Sequence, residues 1–467
     1  MSKKPIAAKL EQYLKKSYLQ ANKSTVTARG ILGKFGDFGS YDVAANPFLD
    51  NTAHPQKEIR ESEKLMAQLY YTKDAHYLTG GTAVGLQAAI MACCKQGDKI
   101  LVPRDASPAV WEAVALSGAD PVWLPVFIHP RFGISLGVAT ETVEQAVKEN
   151  DGAKAMVFVY PTEHGFCGDL RTTARLAGHA GMLTIVDESH GAHFKFTGWP
   201  DPAIDSGAAV VVDGWNETMG ALNPTAVMLQ NDHNYPIKKY LSMLDGHSTS
   251  YPLLAALDEA RANWQANDDK LAAKMLKNAS VIRNGMAKNT VLDCLDSRNI
   301  IWPVRDYDSC RIVLFSELNH SGEQIAESLN KVGVMPAFYD NGTAVITVSA
   351  FETAETVKDL ARRINKAGKL LEKSKGKMLP VVNFGDFPKQ AMNPSEVLNY
   401  DSEWVDLEDA EDRIAAQLII PYGCGVPAAG PGEVISDSII AGVEYITEEG
   451  GRVQGIADGK VLVVKNA

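Results

Sequence analysis

Two apolar segments in the middle of the chain constrain its fold most. Residues 183–186 and 210–212 are runs of apolar, mostly β-branched side chains, and each run ends abruptly in charged and small residues. Runs of this kind are typical of strands buried on both faces of a parallel sheet. Ligands of such sheets bind at the carboxyl ends of the strands. The residues that follow the two runs, 187–190 and 213–218, are therefore the first candidates for a functional site.

The same pattern extends towards the N-terminus as an alternation of strands and helices. Strands are predicted at 99–103, 121–125 and 155–160, and helices at 109–117, 140–149 and 172–180. This alternation predicts a mostly parallel sheet with helices on both faces, whose strand-end loops emerge at one edge.

A glycine-rich turn precedes this alternation. Gly80, Gly81 and Thr82 open a predicted helix that reaches residue 94. The first N–H groups of a helix are free and lie at its positive dipole end, which suits a phosphate. A turn of this composition without a ligand is the alternative, and its position before the alternating strands favours the phosphate.

At 467 residues the chain is too long for one hydrophobic core. Helices are predicted at 5–22 and 56–70, a loop at 30–41, and a long helix at 253–278. A smaller α+β unit follows, with strands at 311–315 and 344–349 and helices at 321–332 and 355–367. The predicted divisions are an N-terminal helix and arm (1–50), a large domain (51–275), a small domain (276–370), a linker (371–390) and a C-terminal domain (391–467).

Composition excludes several classes of protein. The formal net charge of −11 argues against nucleic acid or an anionic membrane as the main partner. Six scattered cysteines without a Cys-x-x-Cys pair indicate neither a disulfide framework nor a zinc site, and no metal site is predicted. No apolar stretch approaches 18 residues, and the N-terminus has no apolar signal region, so a cytoplasmic protein is expected.

Several motifs resemble one enzyme family. Residues 187–194 read Asp-Glu-Ser-His-Gly-Ala-His-Phe, similar to the Asp-Glu-Ala-His-Gly-Ala-His-Phe of the ornithine/lysine/arginine decarboxylases. Further similar motifs lie at 257–261, 411–417, 420–427 and 431–433. The resemblance implies a pyridoxal-phosphate enzyme of fold type I. It implies an α/β large domain with a mostly parallel seven-stranded sheet, a smaller α+β domain and an α/β C-terminal domain.

The resemblance also reveals a departure at its most important position. The family's lysine segment reads Ser-x-His-Lys-Thr-Leu, and residues 214–219 read Gly-Trp-Asn-Glu-Thr-Met. Glu217 therefore stands where the family has the lysine that forms a Schiff base with the cofactor. A carboxylate cannot form an imine.

Other site residues are kept. By resemblance, Asp187 binds the pyridine nitrogen of the cofactor, and His190 belongs to the same motif. Ser248 and Ser250 match a stretch that contacts the phosphate from a neighbouring subunit, which implies a homodimer or a higher assembly of dimers. His193 is interpreted as a structural histidine bonded to a loop carbonyl.

The rest of the cofactor site is altered. Ala83 replaces a phosphate-binding serine, Ser107 the histidine that stacks on the ring, Gly214 a second serine, and Asn216 a histidine. The predicted cofactor-binding residues are Gly81, Thr82, Ala83, Ser107, Asp187, His190, Asn216, Ser248 and Ser250.

Three functions remain open. The first is an enzyme that binds pyridoxal or pyridoxamine phosphate, or an adduct with a small, basic amino acid or amine, noncovalently. The second is a cofactor-free enzyme that uses Glu217, Asp187 and His190, and the third is a pseudoenzyme that partners a true decarboxylase. In the enzymatic cases Glu217 is expected to carry protons, with a pKa raised by burial or by nearby carboxylates. Asp105, Glu188 and Asp213 are expected to crowd the same pocket.

Overall fold

The structure is a computed structural model that describes residues 2–15, 42–43, 46–382, 384–385, 387–422 and 425–465. The predicted loop at 30–41, the end of the predicted helix at 5–22, and Gly423 and Cys424 of the motif at 420–427 lie outside these residues.

The helices follow the predicted pattern closely. In the described residues they are α1 (Pro5–Lys15), α2 (Glu58–Tyr70), α3 (Thr82–Cys93), α4 (Pro108–Ser117), α5 (Thr140–Glu149), α6 (Leu170–His179), α7 (Phe194–Thr197), α8 (Trp215–Thr218), α9 (Ile237–Leu244), α10 (Tyr251–Met286), α11 (Gly322–Lys331), α12 (Ala354–Leu371), α13 (Pro394–Val397) and α14 (Asp437–Glu448). The long helix α10 extends eight residues beyond its predicted end at 278, and a kink at Asn267 interrupts it.

Seven strands form the large sheet. They are β1 (Asp74–Leu78), β2 (Lys99–Pro103), β3 (Asp120–Leu124), β6 (Ala155–Val159), β8 (Leu183–Glu188), β9 (Val210–Gly214) and β10 (Ala226–Gln230), in the spatial order β1-β10-β9-β8-β6-β2-β3. The hairpin β4 (Phe127–Ile128) and β5 (Ser135–Gly137) and the short strand β7 (Phe166–Cys167) lie between them in sequence. Only β10 runs against its neighbours, so the predicted mostly parallel seven-stranded sheet is confirmed.

The two faces of this sheet carry separate cores. One core joins α3 and α4 to Ile185 and Val212, and the other joins α2, α6 and α10 to Val186 and Val211. Successive strand residues point to opposite faces. Asp187 therefore lies on the α3 face, and its neighbour Glu188 lies on the α10 face.

Two smaller units complete the fold. Strands β11 (Leu292–Cys294), β13 (Arg311–Ser316), β15 (Thr343–Thr347) and β14 (Phe338–Tyr339) form an antiparallel sheet beside α11 and α12, while β12 (Asp306–Tyr307) pairs with β7. Near the C-terminus, β16 (Ser402–Asp406), β19 (Ile456–Ala457) and β20 (Lys460–Val464) pack with α14, and β17 (Ile420–Pro421) pairs with β18 (Val453–Gln454). The domain boundaries within this arrangement stay predictions. No helix in the described part of the chain is long and apolar enough to cross a membrane.

A buried ion pair joins the C-terminal unit to the large sheet. Arg104, directly after β2, forms a two-pronged pair with Glu433, in which Nη2 lies 2.7 Å from Oε2. Its remaining donors reach the carbonyl groups of Pro427 and Ala428 at 3.2 and 3.3 Å. The rings of Trp111 and Phe387 also lie against the guanidinium. We call this arrangement the Arg104 contact.

Candidate functional site

The candidate site lies at the carboxyl ends of β8, β9 and β2, as expected for a parallel sheet. Asp187 is buried near the end of β8. Its Oδ1 accepts hydrogen bonds from the backbone N–H and the hydroxyl of Ser189, the first at 3.1 Å. No described residue donates a hydrogen bond to its Oδ2. One carboxylate oxygen thus remains available to a ligand.

Glu217 lies on the short helix α8 and contacts two basic side chains. Its Oε2 is 2.8 Å from Nδ1 of His190 and 3.5 Å from Nη1 of Arg311, at the start of β13. Glu217 retains 30% exposure of its side chain, whereas the side chain of Arg311 is only 3% exposed. We call these three residues the Glu217 cluster. The cluster joins the large sheet to the smaller α+β unit.

The electrostatics of Glu217 differ from the expectation. Burial acts to raise the pKa of its carboxyl, but the hydrogen bond and charge of His190, with the charge of Arg311, outweigh burial and hold that pKa below its usual range. The expected rise through burial or through neighbouring carboxylates is therefore wrong. At neutral pH Glu217 is a fixed anion, and it is a poor proton donor.

The turn before α3 presents free backbone donors. Gly81 has a φ of +83°, and α3 has no side-chain cap, so the first helical N–H groups, those of Thr82 and Ala83, make no hydrogen bond to a described residue. Just before them, the carboxylate of Asp245 accepts from the N–H groups of Thr79 and Gly80, the latter at 2.6 Å. An internal anion thus already occupies part of this glycine-rich turn.

Gly214 lies in close contact with the turn after β8. A Cβ at this position would meet the carbonyl oxygen of Ser189, closer than real Cβ atoms approach backbone. The serine that the resemblance places here is therefore sterically excluded in this backbone. Glycine at 214 therefore removes a hydroxyl group and also allows the close packing of this strand end against the turn at Ser189.

Buried polar groups without partners lie after β2. Ser107 immediately precedes α4, and its Oγ has no hydrogen-bond partner among the described residues, like Oδ1 of Asp105. The other oxygen of Asp105 accepts from Ser135 at 2.6 Å. Burial raises the pKa of Asp105 to about 6, with contributions from the charges of Glu163 and Asp187. Asp105 and Asp187 are therefore close enough to interact.

Glu188 and Asp213 do not share this pocket, which corrects the expectation. They are paired across β8 and β9 and point to the opposite face of the sheet. Burial raises the pKa of both carboxyls, and the negative charge of Asp213 raises that of Glu188 further. Two carboxyls buried side by side disfavour ionising together, so the raised pKa of each favours its protonated form.

His193 is buried, but its partner differs from the one expected. Its Nε2 lies 3.0 Å from Oδ1 of Asp308, a carboxylate, whereas a loop carbonyl was expected. Cys310 is close by, so these three residues could offer ligand atoms to a metal ion. The same Asp308 oxygen also accepts the N–H of Cys310 at 2.8 Å. Asp308 thus links the end of β12 to His193 at the start of α7, while Nδ1 of His193 has no hydrogen-bond partner among the described residues.

The remaining predicted site residues make no side-chain hydrogen bond with Asp187, His190 or Glu217 in the described part of the chain. Asn216 donates to the side chain of Asn223 at 3.2 Å. Ser250 precedes α10, and Ser248 is exposed. In the described part of the chain, neither serine forms a side-chain hydrogen bond with another predicted site residue.

Sequence reasoning missed Arg311 and Asp245. Both residues lie far along the chain from the motifs they contact, and neither falls in a segment that the resemblance marked. A charged residue opening a buried strand was the only local signal for Arg311, whose neighbours at 312–315 are all apolar.

Comparison with known proteins places this site in a family. The family model described as the major domain of Orn/Lys/Arg decarboxylases matches residues 36–328, and the model of the C-terminal domain of the same family matches residues 379–451. An uncharacterised protein of Bacillus subtilis, YaaO, is 28% identical over 427 residues, which cover 89% of this chain and 87% of that protein. An arginine decarboxylase of Bacillus anthracis is 27% identical, with 88% and 85% covered.

Solved structures support the same fold. The lysine decarboxylase LdcF of Francisella novicida superposes with a TM-score of 0.85 at 14% identity, covering 99% of this chain and 81% of that one. The constitutive lysine decarboxylase of E. coli gives 0.83 at 15% identity, covering 99% and 82%. A structure titled "SPT with PLP" gives 0.54 at 13% identity, covering 75% and 85%.

Proposed function

Because the chain belongs to the Orn/Lys/Arg decarboxylase family, we propose that it binds pyridoxal or pyridoxamine phosphate, or an adduct of this cofactor with a small basic amino acid or amine, without a covalent bond. One observation carries the proposal. Asp187 keeps an open carboxylate oxygen at the family's ring-nitrogen position, while Glu217, at the lysine position, is held by His190 and Arg311. These positions support retained ring binding without a covalent bond to residue 217.

The residues present fit the two ends of such a cofactor. Oδ2 of Asp187 would accept the protonated ring nitrogen, and the free N–H groups of Thr82 and Ala83 would bind the phosphate at the N-terminus of α3. The unpartnered hydroxyl of Ser107 and the free Oδ1 of Asp105 are buried donors and acceptors that a ligand would satisfy. When bound, the protonated ring supplies an electron sink next to the reacting carbon.

The chain's own residues define what the site can do around that ring. Asp187 would hold the ring nitrogen and favour its protonated form, because a carboxylate stabilises a neighbouring cation. Glu217, as a fixed anion, would attract the ammonium group of a basic ligand. His190 bonds Glu217 through Nδ1, so its other ring nitrogen is the group free to hold or accept a proton.

We also propose that two chains assemble as a dimer. The support is indirect: Ser248 and Ser250 match residues that the family places at a neighbour's phosphate, and neither has a partner within the described site. Obligate interfaces of this kind bury upward of about 2,000 Å². Sedimentation showing a monomer at micromolar concentration would contradict this assembly.

A pseudoenzyme is the second candidate. The carboxylate of Asp245 in the glycine-rich turn and the exclusion of a serine at 214 favour it, because both changes weaken a phosphate site. Such a protein would keep the fold as a partner of an active decarboxylase.

Titration with pyridoxamine phosphate, followed by ligand fluorescence and equilibrium dialysis, tests the proposal. We expect one saturable site per chain, weakened at least tenfold in Asp187→Ala and unchanged in Asp205→Ala, whose side chain pairs with Lys195 at the surface. Absence of binding by the native protein would contradict the proposal and put the pseudoenzyme first.

Borohydride reduction in the presence of pyridoxal phosphate tests the noncovalent mode separately. The native protein should carry no pyridoxyl group on a lysine of the pocket. Glu217→Lys should become labelled at residue 217, because the charge of Arg311, near the new amine, lowers its pKa towards the neutral, reactive form. A pyridoxyl group on a pocket lysine of the native protein would show that another lysine forms the covalent bond to the cofactor, which would contradict the noncovalent mode.

A further inference from the structure

Arg311 is the basis of a further inference, which rests on the proposed function and specifies the class of ligand that the site binds. We propose that the guanidinium of Arg311 binds the carboxylate of an amino-acid ligand, so that this site holds the carboxylate that a decarboxylase removes. The ligand class is then an amino acid, or its adduct with the cofactor, and the corresponding amine is the weaker ligand.

The hydrogen bonds of Arg311 are incomplete. Its Nε donates to the carbonyl oxygen of Glu163, and the ring of Phe338 lies 5.9 Å from the guanidinium carbon. Neither Nη1 nor Nη2 donates a hydrogen bond to any residue that the structure describes. The 3.5 Å separation between Nη1 and Glu217 is an ion-pair contact without hydrogen-bond geometry.

The other two buried arginines use both terminal nitrogens in hydrogen bonds, although Nε of Arg261 has no partner among the described residues. Arg104 uses Nε, Nη1 and Nη2 in hydrogen bonds. In Arg261, Nη1 donates to Gln265, and Nη2 to Asp258 and to the carbonyl of Lys3. A buried charged group with unused donors is costly unless something pairs with it. Both terminal nitrogens of Arg311 are therefore free for a ligand.

The position of Arg311 fits a carboxylate on the reacting carbon. Its Nη1 lies 3.5 Å from an oxygen of Glu217, the residue at the position of the family's lysine. The Glu163 carbonyl fixes the guanidinium plane through Nε, which leaves the Nη1 and Nη2 edge for a planar, two-pronged contact. Carboxylates fit that fork geometry.

The chemistry of carbon dioxide loss argues in the same direction. As the bond to the carboxyl carbon breaks, its electron pair stays on the carbon left behind and the departing group becomes neutral. A buried guanidinium stabilises the charged carboxylate and therefore opposes that change, because it binds the starting state more tightly than the product. A site built this way retains the carboxylate.

Two stable ligands isolate this single group. The reduced adducts phosphopyridoxyl-L-lysine and phosphopyridoxyl-cadaverine share the cofactor half and the distal amine, and they differ only in the carboxylate. We expect the native protein to bind the lysine adduct at least tenfold more tightly, measured by calorimetry. In Arg311→Gln the preference should fall to below about twofold, with affinity for the cadaverine adduct unchanged.

Two further variants control for packing. Arg311→Lys keeps the charge and loses the fork, so an intermediate preference is expected. Arg283→Gln disturbs the same strand, since Arg283 donates to the carbonyl of Arg311 at 2.9 Å, but it should keep the native preference. Thermal unfolding of each variant identifies any that fails to fold.

The outcomes separate the two proposals. Equal binding of both adducts by the native protein overturns the role of Arg311 and leaves cofactor binding intact. A preference for the lysine adduct that persists in both Arg311 variants shows that another group binds the carboxylate, which also overturns it. Binding of neither adduct overturns this inference together with the proposed function.

Discussion

Two Arg–Glu pairs connect the large sheet to later parts of the chain, and they are built in opposite ways. In the Arg104 contact every nitrogen of the guanidinium is bonded, and two aromatic rings cover it. In the Glu217 cluster the guanidinium touches its carboxylate at 3.5 Å and keeps its terminal nitrogens unbonded. In the first pair all three nitrogens of the guanidinium group have hydrogen-bond partners within the protein, and the pair holds the C-terminal unit against the large sheet. The second leaves hydrogen-bond donors of the guanidinium unused beside the candidate site, which is how a binding site differs from a structural contact.

The largest difference is expected in stability. Glu433→Gln leaves Arg104 buried beside a neutral group, so it should lower the free energy of unfolding by about 3–5 kcal/mol. Glu217→Gln should lower it by about 1 kcal/mol or less, because its partner is already poorly bonded and its own side chain is partly exposed. Urea unfolding measures both. Equal losses would mean that the Glu217 cluster is also a structural pair.

A second prediction concerns the backbone beneath the cluster. Gly214→Ala should lower the free energy of unfolding by about 1–3 kcal/mol, because its Cβ overlaps the carbonyl of Ser189. Gly178→Ala is the matched control: it lies in α6 with open space around it and should stabilise the protein by about 0.5–1 kcal/mol. If Gly214→Ala left the free energy of unfolding unchanged, the turn at Ser189 would have to move easily to make room for the added Cβ.

A third prediction concerns the pH dependence of stability, which should differ between the carboxyl groups on the two faces of the sheet at β8 and β9. The raised pKa of Asp213, about 7, means that the native pair holds a proton that the unfolded chain releases near pH 4. Stability should therefore fall between about pH 4 and 7, by about 1.4 kcal/mol per pH unit for one proton. Asp213→Asn should reduce this slope without abolishing it, because burial alone still raises the pKa of Glu188.

Glu217 should act in the opposite sense. Its lowered pKa contributes stability that is present above the unfolded value, 4.5, and is lost as the pH falls through the native value. The acid limb of the stability curve should therefore flatten in Glu217→Gln and persist in Asp213→Asn. Unfolding curves from pH 3 to 8 for both variants measure this. If Asp213→Asn flattened the acid limb and Glu217→Gln changed the slope between about pH 4 and 7, the two roles would be reversed.

The smallest effect is expected at Ser189. Its hydroxyl donates to Oδ1 of Asp187, so Ser189→Ala frees one acceptor site of that oxygen. It should tighten the binding of pyridoxamine phosphate by about two- to tenfold, since a single hydrogen bond contributes about 0.5–1.5 kcal/mol. The free energy of unfolding should change little. Weaker binding would mean that the hydroxyl orients the carboxylate.

The sequence contains most of the fold in local patterns. Strand β2 and helix α5 have their predicted bounds because apolar periodicity is a short-range signal. Strand β1 was missed because it reads Asp-Ala-His-Tyr-Leu, and its burial comes from pairing with β10. Pairing between distant segments produces no apolar periodicity in the sequence of either segment.

The site divides in the same way. Asp187 follows directly from a strand end, and the opposite facing of Glu188 was available from strand alternation. The lowered pKa of Glu217 was not, because it depends on contacts of the folded chain with His190 and with Arg311, which belongs to a separate unit. Electrostatic partners across units are fixed by tertiary packing, and no motif records them.

The contact between Gly214 and the carbonyl of Ser189 restricts how this chain can change. A serine at 214 is blocked until the turn at 189 moves. Of the three family residues missing from this segment, the serine can therefore return only after a rearrangement of that turn. The backbone here constrains the order in which substitutions can be accepted, as well as their number.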